Sequence, residues 1–202
     1  MLILVRHGRT TANASGLLQG RVDNPLDPLG RRQAAAIAAV LGKVDRLVSS
    51  PLLRARETAE AVAARLDGVP VEIDERWIEL DYGVWDEHPV RDVPVETWTA
   101  WRADAGFTPP GGESLATLQE RVERACADLA AASAGEDVAV FTHVSPIKAA
   151  IAWALGVGPG ISWRMNVAQA SISRLRLDGW APSLISFNEV THLVDVNELS
   201  EL

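Results

Sequence analysis

The sequence predicts an α/β fold, a three-layer sandwich with a mostly parallel central sheet and helices on both faces. Two observations predict it. Short apolar runs of strand length alternate with longer stretches whose apolar residues recur at helical spacing. Strands alternating with helices need crossover connections, and those cover both faces of a parallel sheet. The length agrees: 202 residues, 48% of them hydrophobic, make one domain that buries its core without disulfide or metal staples.

The elements follow in order. Leu2–Arg6 is a buried strand, followed by a Gly/Asn/Asp/Pro-rich loop over 8–28. Residues 30–41 form a helix with Ala34, Ile37, Ala38 and Leu41 on one face and Gly42 as its stop. Arg46–Ser49 is a second buried strand, 52–66 a second helix, and 69–73 a third strand. The stretch 76–112 departs from this pattern and reads as an inserted lid segment with a short helix at Val95–Ala103. It holds Trp77, Trp85, Trp98 and Trp101, which either pack the core or wall a pocket. Residues 114–132 form a helix with Leu115, Leu118, Val122, Cys126 and Leu129 on one stripe, so Cys126 is a core residue. Val138–Thr142 is a fourth strand and 146–155 a helix; 170–177 and 182–187 are closing strands around an Asp178-Gly179 turn.

Charge and cysteine content exclude several classes. Nineteen basic against 27 acidic residues leave a net charge of −8, which suits neither nucleic acid nor an anionic membrane. One cysteine permits no internal disulfide and no multi-thiolate metal site. The N-terminal apolar run is too short for a signal peptide, and no run reaches the ~20 apolar residues of a membrane span, so a cytoplasmic location is expected.

Ligands of such sheets collect beyond the carboxyl ends of the strands. Arg6, His7 and Gly8 end the first strand; Ser49, Ser50 and Pro51 end the second and lead to Arg54; Thr142 and His143 end the fourth. Two histidines and two arginines therefore meet at one edge. Guanidiniums match the oxygens of a phosphoryl group, one imidazole can attack phosphorus, and the other can donate to a non-bridging oxygen. No G-x-x-x-x-G-K-[ST] loop, H-E-x-x-H motif or Asp-rich metal cluster accompanies them. His88, His192, Arg9 and Arg21 read as solvated surface groups.

The run Arg6-His7-Gly8 resembles the R-H-G signature of the histidine phosphatase superfamily, the phosphoglycerate mutase-like proteins. The resemblance extends through Asn13, Gln19, Gly20, Gly30 and Gln33. It continues through Ser49, Ser50, Pro51, Arg54, Ala55, Glu57, Thr58 and Ala59, then Glu79, Tyr82, Gly83 and Trp85. Glu113, Ser114 and Phe141 to His143 complete it, over roughly 2–155. The resemblance implies that His7 is the nucleophile that becomes phosphohistidine. Arg6, Arg54 and His143 would line the phosphate pocket, with Asn13 adding an amide and Gln19, Gly20 and Val144 completing the substrate contacts. Glu79 would protonate the leaving group and later activate water.

Attack requires His7 neutral, with one ring nitrogen donating to a backbone carbonyl, whereas His143 serves best as a cation beside phosphate. The sequence departs from the family at Val144-Ser145, where relatives carry Gly-Gly, and at Glu87, where they often carry Gly. Ser145 is expected to cap a helix with Pro146 in its first position, leaving N–H groups suited to an anion.

The expected function is metal-independent hydrolysis of a small phosphomonoester by a histidine acid-type phosphatase, with no cofactor and no nucleic-acid or membrane partner. A homodimer through a sheet edge is compatible with the sequence. A phosphoglycerate mutase using the same phosphohistidine is the runner-up, disfavoured by the short chain. A non-catalytic phospho-ligand or scaffold protein ranks third, since His7 and Glu79 are both present.

Overall fold

The computed structural model describes residues 1–132 and 135–198. Six strands form one sheet: β1 (Leu2–Arg6), β2 (Arg46–Ser49), β3 (Val71–Ile73), β4 (Val138–Thr142), β5 (Ile172–Arg176) and β6 (Ser183–Glu189). Their order is β3-β2-β4-β1-β5-β6. The first four run parallel, and β5 and β6 close the sheet antiparallel. The mostly parallel sheet that alternation predicts is what forms.

Side chains alternate across the sheet as the pleat requires. Leu2, Leu4, Val48, Val138 and Val140 face α5 (Leu115–Ala132) and α6 (Val144–Leu155). Ile3, Val5, Leu47, Ala139 and Phe141 face α2 (Pro28–Val40) and α3 (Leu53–Ala63). Each fully buried Leu, Ile or Phe side chain contributes roughly 1.5–3 kcal/mol by leaving water. Cys126 lies in the first of these cores, fully buried. Among the described residues no helix is long and apolar enough to cross a membrane.

Boundaries shift where a cap outranks the apolar pattern. α2 starts at Pro28 because Asp27 caps it, its carboxylate accepting from Gly30 N–H at 2.7 Å, with Pro28 in the first turn. α6 starts at Val144, two residues before the sequence expectation, with His143 in the cap position. Ser145 is therefore not the cap; its N–H donates to the Glu79 carboxylate at 3.2 Å. The loop after β1 lies against the start of α2 so closely that a Cβ on Gly8 would sit 2.5 Å from the Gly30 carbonyl oxygen. Only glycine fits there.

The segment read as an insertion holds three single-turn helices and α4 (Val95–Ala103). Trp77, Leu80, Val93 and Trp101 within it are buried, so much of it is core. Glu87 adopts φ +62°, the left-handed region that glycine enters without strain. That is the physical content of the departure from Gly at this position. The remaining short helices are α1 (Thr11–Ala14) and α7 (Val194–Glu198).

Candidate active site

The carboxyl ends of β1, β2 and β4 deliver the expected residues to one cavity. Arg6, His7, Asn13, Gln19, Gly20, Arg54, Glu79, Tyr82 and Val144 line a space of about 680 Å³. His143 stands behind it, its ring 5.1 Å from that of His7.

Each side chain is held by identifiable contacts. His7 is 2% exposed, and its Nδ1 lies 2.7 Å from the Gly8 carbonyl oxygen. A carbonyl only accepts, so Nδ1 carries the proton and Nε2 keeps its lone pair. The Gly8 N–H donates to the Thr58 hydroxyl at 3.2 Å, and the Ala170 N–H donates to the His7 carbonyl at 3.1 Å. The nucleophile-bearing turn is thus pinned from both sides.

Arg6 Nη1 donates to the Val167 carbonyl at 2.6 Å. Arg54 donates from Nη1 to Val22 and from Nη2 to Gly20, at 2.7 and 2.8 Å. The Nε atoms of both arginines and His143 Nδ1 are buried without a protein partner. Buried polar atoms without a partner are rare, and the two arginines that carry them here both line the cavity.

The first loop adds amides. Thr10 and Asn13 cap α1 reciprocally, so Asn13 Oδ1 accepts from Thr10 N–H at 3.1 Å. Gln19 Oε1 accepts from the Thr10 hydroxyl at 2.8 Å. Both residues line the cavity. Gly20 has φ +46°, and a Cβ there would meet the Asp86 carboxylate at 1.9 Å. Glu79 is buried; its Oε1 accepts from Leu80 and Ser145 N–H at 2.8 and 3.2 Å, and the side chain faces the cavity.

Burial dominates the electrostatics. It pushes both arginines down to about 10, against the opposing pull of Glu79, so both remain charged. Burial, then Arg54 and Arg6, holds His7 well below its ordinary 6.5. Burial and Arg54 do the same to His143. These are the protein's own groups alone; a bound phosphate acts on His143 in the opposite sense, toward the cation expected beside it. The set offers a neutral nucleophile, two fixed cations and a facing carboxyl, which is what in-line phosphoryl transfer needs.

The model of the histidine phosphatase superfamily, branch 1, matches residues 2–190. The chain belongs to that superfamily. It is 37% identical over 180 residues to a bifunctional protein of Mycobacterium tuberculosis, covering 85% of this chain and 49% of that one, so it spans about half that relative's length. It is 36% identical over 190 residues to a glucosyl-3-phosphoglycerate phosphatase of Mycolicibacterium vanbaalenii, covering 88% and 84% of the two. It also resembles the solved structure of a mycobacterial glucosyl-3-phosphoglycerate phosphatase complexed with VO3, with TM-score 0.85 and 30% identity over 94% of this chain and 98% of that one.

Sequence reasoning about this superfamily member missed several supports. Ser50 shares a hydrogen bond with His143 Nε2 at 2.7 Å, and Thr58 holds Gly8. Both lie inside the matched motifs, which was the available signal. Val167 and Ala170 act through backbone atoms and leave no signal. Arg9 and Arg21 are not merely solvated: Arg9 pairs with Asp27 at 2.8 Å, and Arg21 with Glu113 at 3.2 Å. His192 is half-buried, its Nε2 3.0 Å from the Ala170 carbonyl oxygen, whereas His88 is exposed as expected.

Two buried neutral histidines make stability pH-dependent. The unfolded chain protonates them near 6.5 and the fold resists, so their contribution is whole above 6.5 and is lost as pH falls below it. His192, lowered by burial, acts in the same direction. Asp86 opposes them: burial raises its carboxyl from 3.8 to about 6, so the fold takes that proton first. At pH 5 the unfolded chain still binds at least one more proton, and stability should fall by about 1.4 kcal/mol per pH unit. Urea midpoints at pH 7 and 5 test this. Equal midpoints would refute the neutral assignment.

Proposed function

We propose that this chain is a metal-independent phosphomonoesterase working through phosphohistidine on His7. One observation carries the reading: a neutral imidazole with Nδ1 tied to Gly8 stands beside Arg6 and Arg54, whose Nε atoms lack protein partners. His7 Nε2 attacks phosphorus as the bond to the alcohol oxygen breaks, and Glu79 gives that oxygen its proton. Arg6, Arg54, His143 and the Asn13 amide hold the non-bridging oxygens, with Gln19, Gly20 and Val144 completing the wall. Water then attacks the phosphohistidine, giving its proton to Glu79 and freeing His7. The segment 76–112 roofs the site. A small phosphorylated metabolite in the cytoplasm is the substrate this reading favours, and the phosphatase names of the relatives above support it. A homodimer remains part of the proposal.

The arginines supply the positive charge that magnesium supplies to other phosphoryl transferases. Among the described residues no group of three or more His, Cys, Asp and Glu is placed to hold a metal ion. Release of phosphate from 3-phosphoglycerate and a panel of phosphorylated metabolites should therefore survive exhaustive EDTA treatment. Loss of activity that magnesium or zinc restores would sink the mechanism. Formation of 2-phosphoglycerate faster than phosphate, dependent on 2,3-bisphosphoglycerate, would establish the mutase instead.

A further inference from the structure

A second cavity, about 510 Å³, adjoins the phosphate cavity and shares Tyr82 and Val144 with it. Its walls are aromatic. Trp98 and Trp101 stack with ring centroids 5.6 Å apart, and Trp163 stands edge-on to Trp98 at 6.1 Å. Tyr82 meets Trp101 edge-on at 5.7 Å. Lys148 and the hydroxyl-bearing Ser145 and Ser162 break this apolar lining. Lys148 reaches the cavity from α6, and among the described residues no carboxylate forms an ion pair with it.

Burial lowers the Lys148 ammonium; Glu79 and Arg6 are close enough to act on it with opposite signs. A half-buried cation with no carboxylate in direct contact is costly, which makes it a specific receptor for an anion that arrives with apolar surface. Other candidate ligands fit less well: a second phosphate leaves the tryptophan walls unused, and a neutral hydrocarbon leaves Lys148 unpaired. The shared wall at Val144 and Tyr82 places an occupant next to the phosphate cavity.

We infer that this chamber is the leaving-group subsite, built for an alcohol carrying a ring or similar apolar body and a carboxylate that pairs with Lys148. The inference rests on the phosphomonoesterase reading and adds the chemical class of its substrate. Val144 gains a role here: it lines both cavities.

The test compares the phosphate monoester of 3-phenyllactate with the same compound as its methyl ester. Ring and phosphate are identical, and only the carboxylate charge differs. A hydrogen bond to a charged group is worth ~1.5–3 kcal/mol, so wild type should favour the acid by about tenfold or more in kcat/KM. Lys148→Met should bring the ratio close to one. Trp98→Ala should lower kcat/KM for both ring-bearing esters relative to glycerol 2-phosphate. No preference in wild type, or a preference that survives Lys148→Met, overturns the subsite. If none of these esters is hydrolysed, the phosphatase reading fails by itself. The chamber is then judged by quenching of tryptophan fluorescence with 3-phenyllactate: quenching lost in Lys148→Met upholds it, and absent or unchanged quenching refutes it.

Discussion

Replacing His7 with alanine should reduce phosphomonoester turnover by about 10⁴-fold or more, the scale on which covalent catalysts fail when their nucleophile is removed. The loss should be chemical rather than structural. His7 stands just past the end of β1, and the sheet contacts of that strand lie at Leu2 to Arg6. Circular dichroism and the melting transition should therefore stay close to wild type at pH 7.5. Rapid quench of wild type should trap a phosphoenzyme that is labile in acid and stable in base, as a phosphoramidate is and a phosphoserine is not. The variant should trap none. A variant that keeps a tenth of wild-type activity would move the nucleophile to another group. His143 is the nearest imidazole, but its Nε2 is committed to Ser50.

How much of this was readable beforehand depends on whether the controlling interaction is local. β1 and β4 are nearly continuous apolar runs, and a strand buried on both faces writes itself that way. Arg6, His7, Arg54 and His143 could be placed together because parallel strands put their carboxyl ends on one edge, whatever the distances along the chain. Glu79 was reached only through resemblance, since its segment has no periodicity. What was not legible involves distant backbone. Arg6 depends on a carbonyl 161 residues away at Val167, and no side chain there announces it. The start of α6 was misplaced for a related reason. Ser145 has the local chemistry of a cap, but its N–H is taken by Glu79, 66 residues earlier, and tertiary contact overrides local propensity.

Glu79→Gln is the sharper test of mechanism, since it keeps the shape and removes the acid. A positioned general acid contributes ~10²–10⁴-fold when the leaving group needs a proton. An alkyl phosphate expels a strongly basic alkoxide and needs it; p-nitrophenyl phosphate expels a stabilised phenolate and scarcely does. The burst rate of phosphoenzyme formation should therefore fall by about 10²-fold or more for an alkyl monoester and far less for the nitrophenyl ester. Steady-state rates should fall for both, because the same carboxyl activates water in the second step. Equal burst losses would mean that Glu79 acts by position or charge. The neighbouring carboxylates are then poor substitutes. Glu113 is held by Arg121 at 2.8 Å and by Arg21 at 3.2 Å, and Asp81 accepts from Gly83 N–H at 2.9 Å. None of Glu113, Asp81 and Asp86 lines the phosphate cavity, but Asp86, raised by burial to about 6, lies against Gly20, which does. In that outcome Asp86→Asn should show the leaving-group dependence that Glu79→Gln lacks.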